Sequence, residues 1–203
     1  MHNDIPELSR RGALGALAAT AAMLALPGTA QALTVDEARS LIDRAVADVN
    51  AVISSGASEA SMLTSFEKIF VKYADVPTIA RSSLGPAARG ASAADLAAYT
   101  KAFQGYIARK YGRRFREFIG GRIEVVDARP LKTYFEVISV AKLKGQAPFD
   151  LRWYVSDKSG RNLFFNLIIE GVNMLASERA EIGAMLDANK GSIPALAAAL
   201  RKI

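Results

Sequence analysis

The chain has 203 residues, a formal net charge of +6, no cysteine, and one histidine, His2. Disulfides, thiolate chemistry and a lipid-anchored cysteine are therefore excluded. If His2 leaves with a cleaved leader, the remainder has no Ser-His-Asp or Cys-His catalysis and no ordinary zinc or copper site.

The N-terminus reads as a targeting segment. Ser9-Arg10-Arg11 precedes an uncharged apolar run of about 15 residues, Gly12 to Leu26, which Pro27 and Gly28 break. Ala30-Gln31-Ala32 then offers the small residues a signal peptidase needs. The run is shorter than the roughly 20 residues of a membrane-spanning helix. The arginine pair with Leu14 resembles a twin-arginine signal, although Ala13 stands where an aromatic is usual. Asp4 and Glu7 reduce the positive charge that the general secretory route favours. Cleavage after Ala32 removes two cations and two anions, so the net charge stays at +6. Residues 1–32 are thus expected to be a cleaved signal peptide, and 33–203 one domain with a sizeable core.

The domain opens helical. Thr34 is a candidate N-cap, and Ala38, Leu41, Ile42, Ala45, Val49 and Val52 recur at helical spacing. A second helix is expected over about Ser58 to Tyr73, with Met62, Phe66, Ile69 and Phe70 inward. A short helix follows over Val76 to Leu84, stopped by Gly85-Pro86. Ser92 with Asp95 resembles a capping box and starts the longest helix. Its 3.6-residue rhythm runs through Leu96, Tyr99, Phe103, Tyr106 or Ile107, and Lys110 or Tyr111 to Phe118, before Gly120-Gly121.

From Arg122 the period changes to that of strands. Arg122 to Ala128 and Leu131 to Leu143 are the first two. In the third, Phe149, Leu151, Trp153 and Val155 face one way, and Asp150, Arg152 and Tyr154 the other. The fourth, Leu163 to Ile169, is apolar on both faces except for Asn166, which predicts cover on both sides. Met174 to Ala188 and Ser192 to Leu200 read as two closing helices. Short Gly- and Pro-containing turns argue for a meander. The expected fold is α+β: an antiparallel four-stranded twisted sheet under a layer of several helices. Carboxylate catalysis, which needs two acids facing each other across a cleft, finds little support. Glu124 and Asp127 share a strand, but odd spacing predicts opposite faces. No phosphate loop or dinucleotide fingerprint is present, so an enzyme is not expected and no cofactor is implied.

Several local patterns resemble the MlaC or toluene-tolerance family, periplasmic proteins that shuttle phospholipids between an inner-membrane transporter and an outer-membrane complex. Phe164-Phe165-Asn166-Leu167-Ile168-Ile169-Glu170-Gly171-Val172-Asn173-Met174-Leu175, with Arg179 beyond, is the closest stretch. The family usually has Asp at Asn166, Ser at Asn173 and Tyr at Glu178. Ser83-Leu84-Gly85 matches its Leu-Gly element, with Ala88 in place of an aromatic before Arg89. Phe103 and Tyr111 match the aromatic spacing of its long helix. The likeness spans nearly all of residues 35–203.

This resemblance implies a monomeric, soluble carrier with an apolar cavity between sheet and helices. Its expected partners are a phospholipid, or a hopanoid as in some relatives, an inner-membrane ABC transporter component and an outer-membrane lipoprotein complex. Candidate lining residues are Val137, Phe149, Leu151, Trp153, Val155, Phe165, Leu167 and Ile169 on the sheet. Tyr99, Phe103, Tyr106 and Tyr111 on the long helix would form the opposite wall. For each of these, ordinary core packing is the alternative. Arg109, Lys110, Arg113, Arg114 and Arg116 crowd the end of the long helix. They form either a solvated face suited to the helix dipole or a basic rim for headgroups or an acidic partner. Nucleic-acid binding fits the charge but not the export signal. An envelope adaptor that binds no ligand, or a carboxylate-dependent hydrolase, would be the rival class.

Overall fold

The computed structural model describes residues 32–113 and 118–203. The expected leader, apart from Ala32, and the rim candidates Arg114 and Arg116 therefore lie outside the described residues. The chain forms α1 (Val35–Ile53), α2 (Glu59–Tyr73), α3 (Val76–Leu84), a 3-10 turn (Gly85–Arg89) and α4 (Ala93–Gly112). Strands β1 (Arg122–Leu131), β2 (Tyr134–Lys142), β3 (Phe149–Ser156), β4 (Leu163–Ile169) and β5 (Val172–Asn173) follow, then α5 (Met174–Ala188) and α6 (Ile193–Leu200).

The helix starts are set locally. Thr34 and Glu37 complete a reciprocal capping box, satisfying two backbone donors that would otherwise be unpaired. Asp75, Ser92 and Ser192 each accept from the backbone N–H three residues on. The α-helical run of α4 ends at Gly112, short of the expected Phe118. Gly112 also lets α2 come close: a Cβ there would stand 2.3 Å from Leu63 Cδ2.

The sheet is antiparallel in the order β1-β2-β3-β4-β5. It has one strand more than expected. Glu170 and Gly171, at φ of 49° and 80°, make the two-residue turn that lets Val172 pair back onto Ile169. β1 runs beyond its expected end through Pro130, which an edge strand tolerates because one row of its N–H groups needs no partner.

Two bulges reset the side-chain alternation. In β1, Glu124 pairs with Val140 and Asp127 with Ile138, leaving Val126 as the extra residue. Glu124 and Asp127 consequently share the outer face, contrary to the simple alternation. In β4, Asn166 pairs with Tyr154 and Phe164 with Val155, so Phe165 is the extra residue.

The main helical contacts with the sheet are those of α1, α3 and α5, and all three helices also line a cavity on its inner face. The expectation of cover on both faces is not met. Outward residues Ile138, Val140 and Ile168 are half-buried and screened by neighbouring side chains. Glu136 is buried on that face by Arg129, at 2.6 Å, with Arg152 at 3.8 Å.

Gly85 joins α3 to the segment that leads to α4, at φ 59° and ψ −132°, a conformation open essentially to glycine alone. A Cβ there would also stand 3.0 Å from Arg179 Nε, so two parts of the chain distant in sequence meet at this point. Gly85→Ala is expected to cost about 1–3 kcal/mol of stability, read by urea unfolding. An unchanged midpoint would show that the turn relaxes into another backbone conformation.

Candidate functional site

Between the helices and the inner face of the sheet lies a cavity of about 160 Å³ with an almost wholly apolar lining. Its floor comes from β3 and β4. Trp153 donates its indole N–H to Ser139 Oγ at 2.6 Å, and its ring meets Phe164 edge-on with centroids 5.2 Å apart. Phe164 in turn lies 6.3 Å from the Phe70 ring of α2. This aromatic row is held in place because a buried indole N–H needs an acceptor and finds one.

The walls are helical. Ala45 and Val49 come from α1, Phe66, Ile69 and Phe70 from α2, and Ile79 from α3. Ile107, Ala108, Tyr111 and Gly112 come from α4, and Met174, Leu175 and Glu178 from α5 and its start. Ile69, Phe70, Leu167, Ile169, Met174 and Leu175 are half-exposed lining residues, which puts apolar surface at the margin of the cavity. Helix α5 is positioned by Asn166, whose side-chain oxygen accepts from the Leu175 N–H while its amide donates to Asn173.

The sequence candidates divide between this lining and the packed core. Trp153, Phe165, Leu167, Ile169 and Tyr111 line the cavity. The ring of Phe165, however, is carried by the bulge against Tyr134 and Tyr154, at 5.3 and 6.1 Å between centroids. Val137, Leu151 and Val155 are buried on the same face but outside the lining. Phe149 is half-buried, edge-on to Phe118 at 6.2 Å.

Tyr99, Phe103 and Tyr106 are at most 2% exposed and stack on one another away from the cavity lining. Tyr99 Oη is 2.7 Å from Ser83 Oγ, and Tyr106 donates to Glu181 at 2.5 Å. Helix α4 is buried on two faces, and the lining face is that of Ile107, Ala108 and Tyr111. Lining residues Ala45, Phe66, Ile79, Ala108 and Phe164 escaped the sequence reading because each looks like an ordinary core position.

The basic candidates are engaged internally. Arg109 donates to the Leu200 carbonyl at 2.7 Å, capping α6. Lys110 Nζ pairs with Glu178 at 2.7 Å and with Glu181, and lies over the Tyr106 and Tyr111 rings. Arg113, also described, is exposed and lies 3.5 Å from the Ile203 carbonyl. Tyr111 donates to the same oxygen of Glu178 as Lys110 does.

This cluster has a pH signature. Burial, reinforced by Glu181 for Tyr106 and by Glu178 for Tyr111, holds both phenols well above their ordinary value. Burial does the same for Tyr99, against an opposing hydrogen bond from Ser83. The folded state therefore keeps protons that the unfolded chain loses near pH 10. That stabilisation is full below pH ~10 and is lost as pH rises through the raised folded values. In an alkaline titration followed by absorbance and circular dichroism, these three phenolates should appear only with unfolding. Their ionisation near pH 10 in a folded chain would show that water reaches the cluster.

A family model described as MlaC protein matches residues 39–202. Among solved structures, the chain is similar to a phospholipid-binding protein from Ralstonia solanacearum in complex with a phospholipid. That likeness has a TM-score of 0.69 and 17% identity, over 81% of this chain and 95% of that one. At such identity it shows a shared fold.

Proposed function

The chain belongs to the MlaC family, and from that premise we propose that it is a periplasmic lipid carrier that takes lipid tails into the apolar cavity. It works as a carrier rather than an enzyme, passing lipid between an inner-membrane ABC transporter and an outer-membrane complex. The observation that carries this reading is the apolar chamber between α1, α2, α4, α5 and the sheet, with apolar side chains at its margin. The phospholipid bound by the structurally similar Ralstonia protein supports the ligand class.

Burying a methylene is worth about 0.8 kcal/mol against water, so tails strongly prefer the chamber to solution. A bilayer already keeps those tails dry, so exchange between membrane and carrier runs near balance. Direction then comes from partners that bind the loaded and empty forms differently. At about 160 Å³ the cavity is below the roughly 300–1,000 Å³ typical of ligand pockets. Loading therefore requires side chains at the margin, Phe70 and Leu175 among them, to part.

We place the cleavage after Ala32, at the small residues Ala30-Gln31-Ala32. Leu33 is buried, and its N–H donates to Asp157 Oδ2 at 3.1 Å. Cleavage after Ala32 would place a new ammonium beside that carboxylate. Expression in a bacterial periplasm and native mass spectrometry test both points. A chain starting at Leu33 with discrete extra mass, identified after solvent extraction as lipid, is the expected result. A bare chain that takes nothing from liposomes would sink the carrier reading and favour an adaptor.

A further inference from the structure

Glu178 contributes to the cavity lining and carries a buried acceptor without a partner among the described residues. Glu178 is 3% exposed, and its Oε2 has no hydrogen-bond partner among the described residues. Its other oxygen, Oε1, is fully engaged by Lys110 Nζ and the Tyr111 hydroxyl. Such orphans are rare in native interiors, because the group has given up its water without replacement.

Neither packing nor charge balance explains it. An apolar side chain would fill the same space without stranding an oxygen. Lys110 already has Glu181 as a second carboxylate, so the three groups together leave one negative charge in excess. That excess favours a neutral or cationic donor at Oε2 and opposes an anionic one.

Resting on the carrier reading above, we propose that Glu178 Oε2 accepts a hydrogen bond from the cargo, which therefore carries a hydroxyl or ammonium donor on the part that enters the cavity. Tails give the cargo its affinity, and Glu178 selects among lipids of equal apolar area. A pocket built to hydrogen-bond a donor discriminates strongly against the analogue lacking it. The donor could belong to an amine headgroup or to a hydroxyl on an apolar skeleton. Both present the same chemistry to Oε2.

The test is uptake by the leader-free chain from vesicles doped with two matched pairs. Phosphatidylethanolamine against phosphatidylcholine of identical tails asks for an ammonium N–H. A sterol against its methyl ether asks for a hydroxyl. Wild type should favour the donor-bearing member of one pair by about tenfold or more, and which pair responds identifies the source. Glu178→Met should abolish that preference, so that both members of the responding pair are taken up alike.

Should that variant fail to fold, carboxyl-labelled wild type supplies a second readout. The Glu178 resonance should shift on loading with the preferred donor lipid and stay in place with its donor-free partner. Equal uptake within both pairs, a preference that survives Glu178→Met, or an unmoved resonance would overturn the proposal and leave the carrier intact. Absence of all lipid uptake by wild type would overturn the carrier reading and this proposal with it.

Discussion

Ala108→Phe is expected to reduce lipid retention by more than tenfold while the chain stays folded. Ala108 is 6% exposed on α4 and lines the cavity. A cavity of about 150 Å³ accommodates one benzene, so an added phenyl ring occupies most of the 160 Å³ present. Filling the space buries apolar area, and overpacking costs typically ~1–3 kcal/mol, so the net change in stability should be modest. Ile182→Val separates the two effects. Ile182 is fully buried on α5 outside the lining, and the change should cost about 0.5–1.5 kcal/mol without affecting retention. Lipid per chain after gentle purification is the measurement. Undiminished lipid in folded Ala108→Phe would mean that the tails lie elsewhere.

Lys110→Met should lower the unfolding free energy by about 3 kcal/mol in urea titration. The change removes the cation that pairs with Glu178 at 2.7 Å, while Glu178 remains 3% exposed. Stranding one partner of a buried pair costs about 3–5 kcal/mol. The lower end applies because the Lys110 side chain is 28% exposed and already partly hydrated. Adding Glu178→Met should recover most of the loss, since both ends of the pair are then gone and no charge is left dry. A loss below about 1 kcal/mol, or a double variant no better than the single, would show that water solvates Glu178 in place of Lys110.

Local signals carried most of the architecture. The helix stop at Gly85-Pro86 and the period change after Gly120-Gly121 located the helical and strand regions, and the caps at Thr34, Ser92 and Ser192 follow from backbone donors that each helix must satisfy. Errors arose where one residue shifted a register. The bulge at Val126 put Glu124 and Asp127 on one face, and the bulge at Phe165 brought Phe164 to the inner face. A period of two predicts faces only while every residue is paired, and nothing in a run of β-formers marks the unpaired one. Glu178 was visible only as a departure from a Tyr-Arg pattern.

By itself the sequence determined the absence of cysteine chemistry, the α+β order and the family, because residue types, hydrophobic period and local motifs all belong to the chain alone. Which apolar residues face empty space was decided by the tertiary structure. Tyr99, Phe103 and Tyr106 share the rhythm of α4 with Ile107, Ala108 and Tyr111, yet the first set packs into the core and the second lines the cavity. A helix buried on two sides shows no single apolar stripe to orient it. Only the positions of α2, α5, α6 and the sheet around it determine which side meets a packed neighbour and which a void.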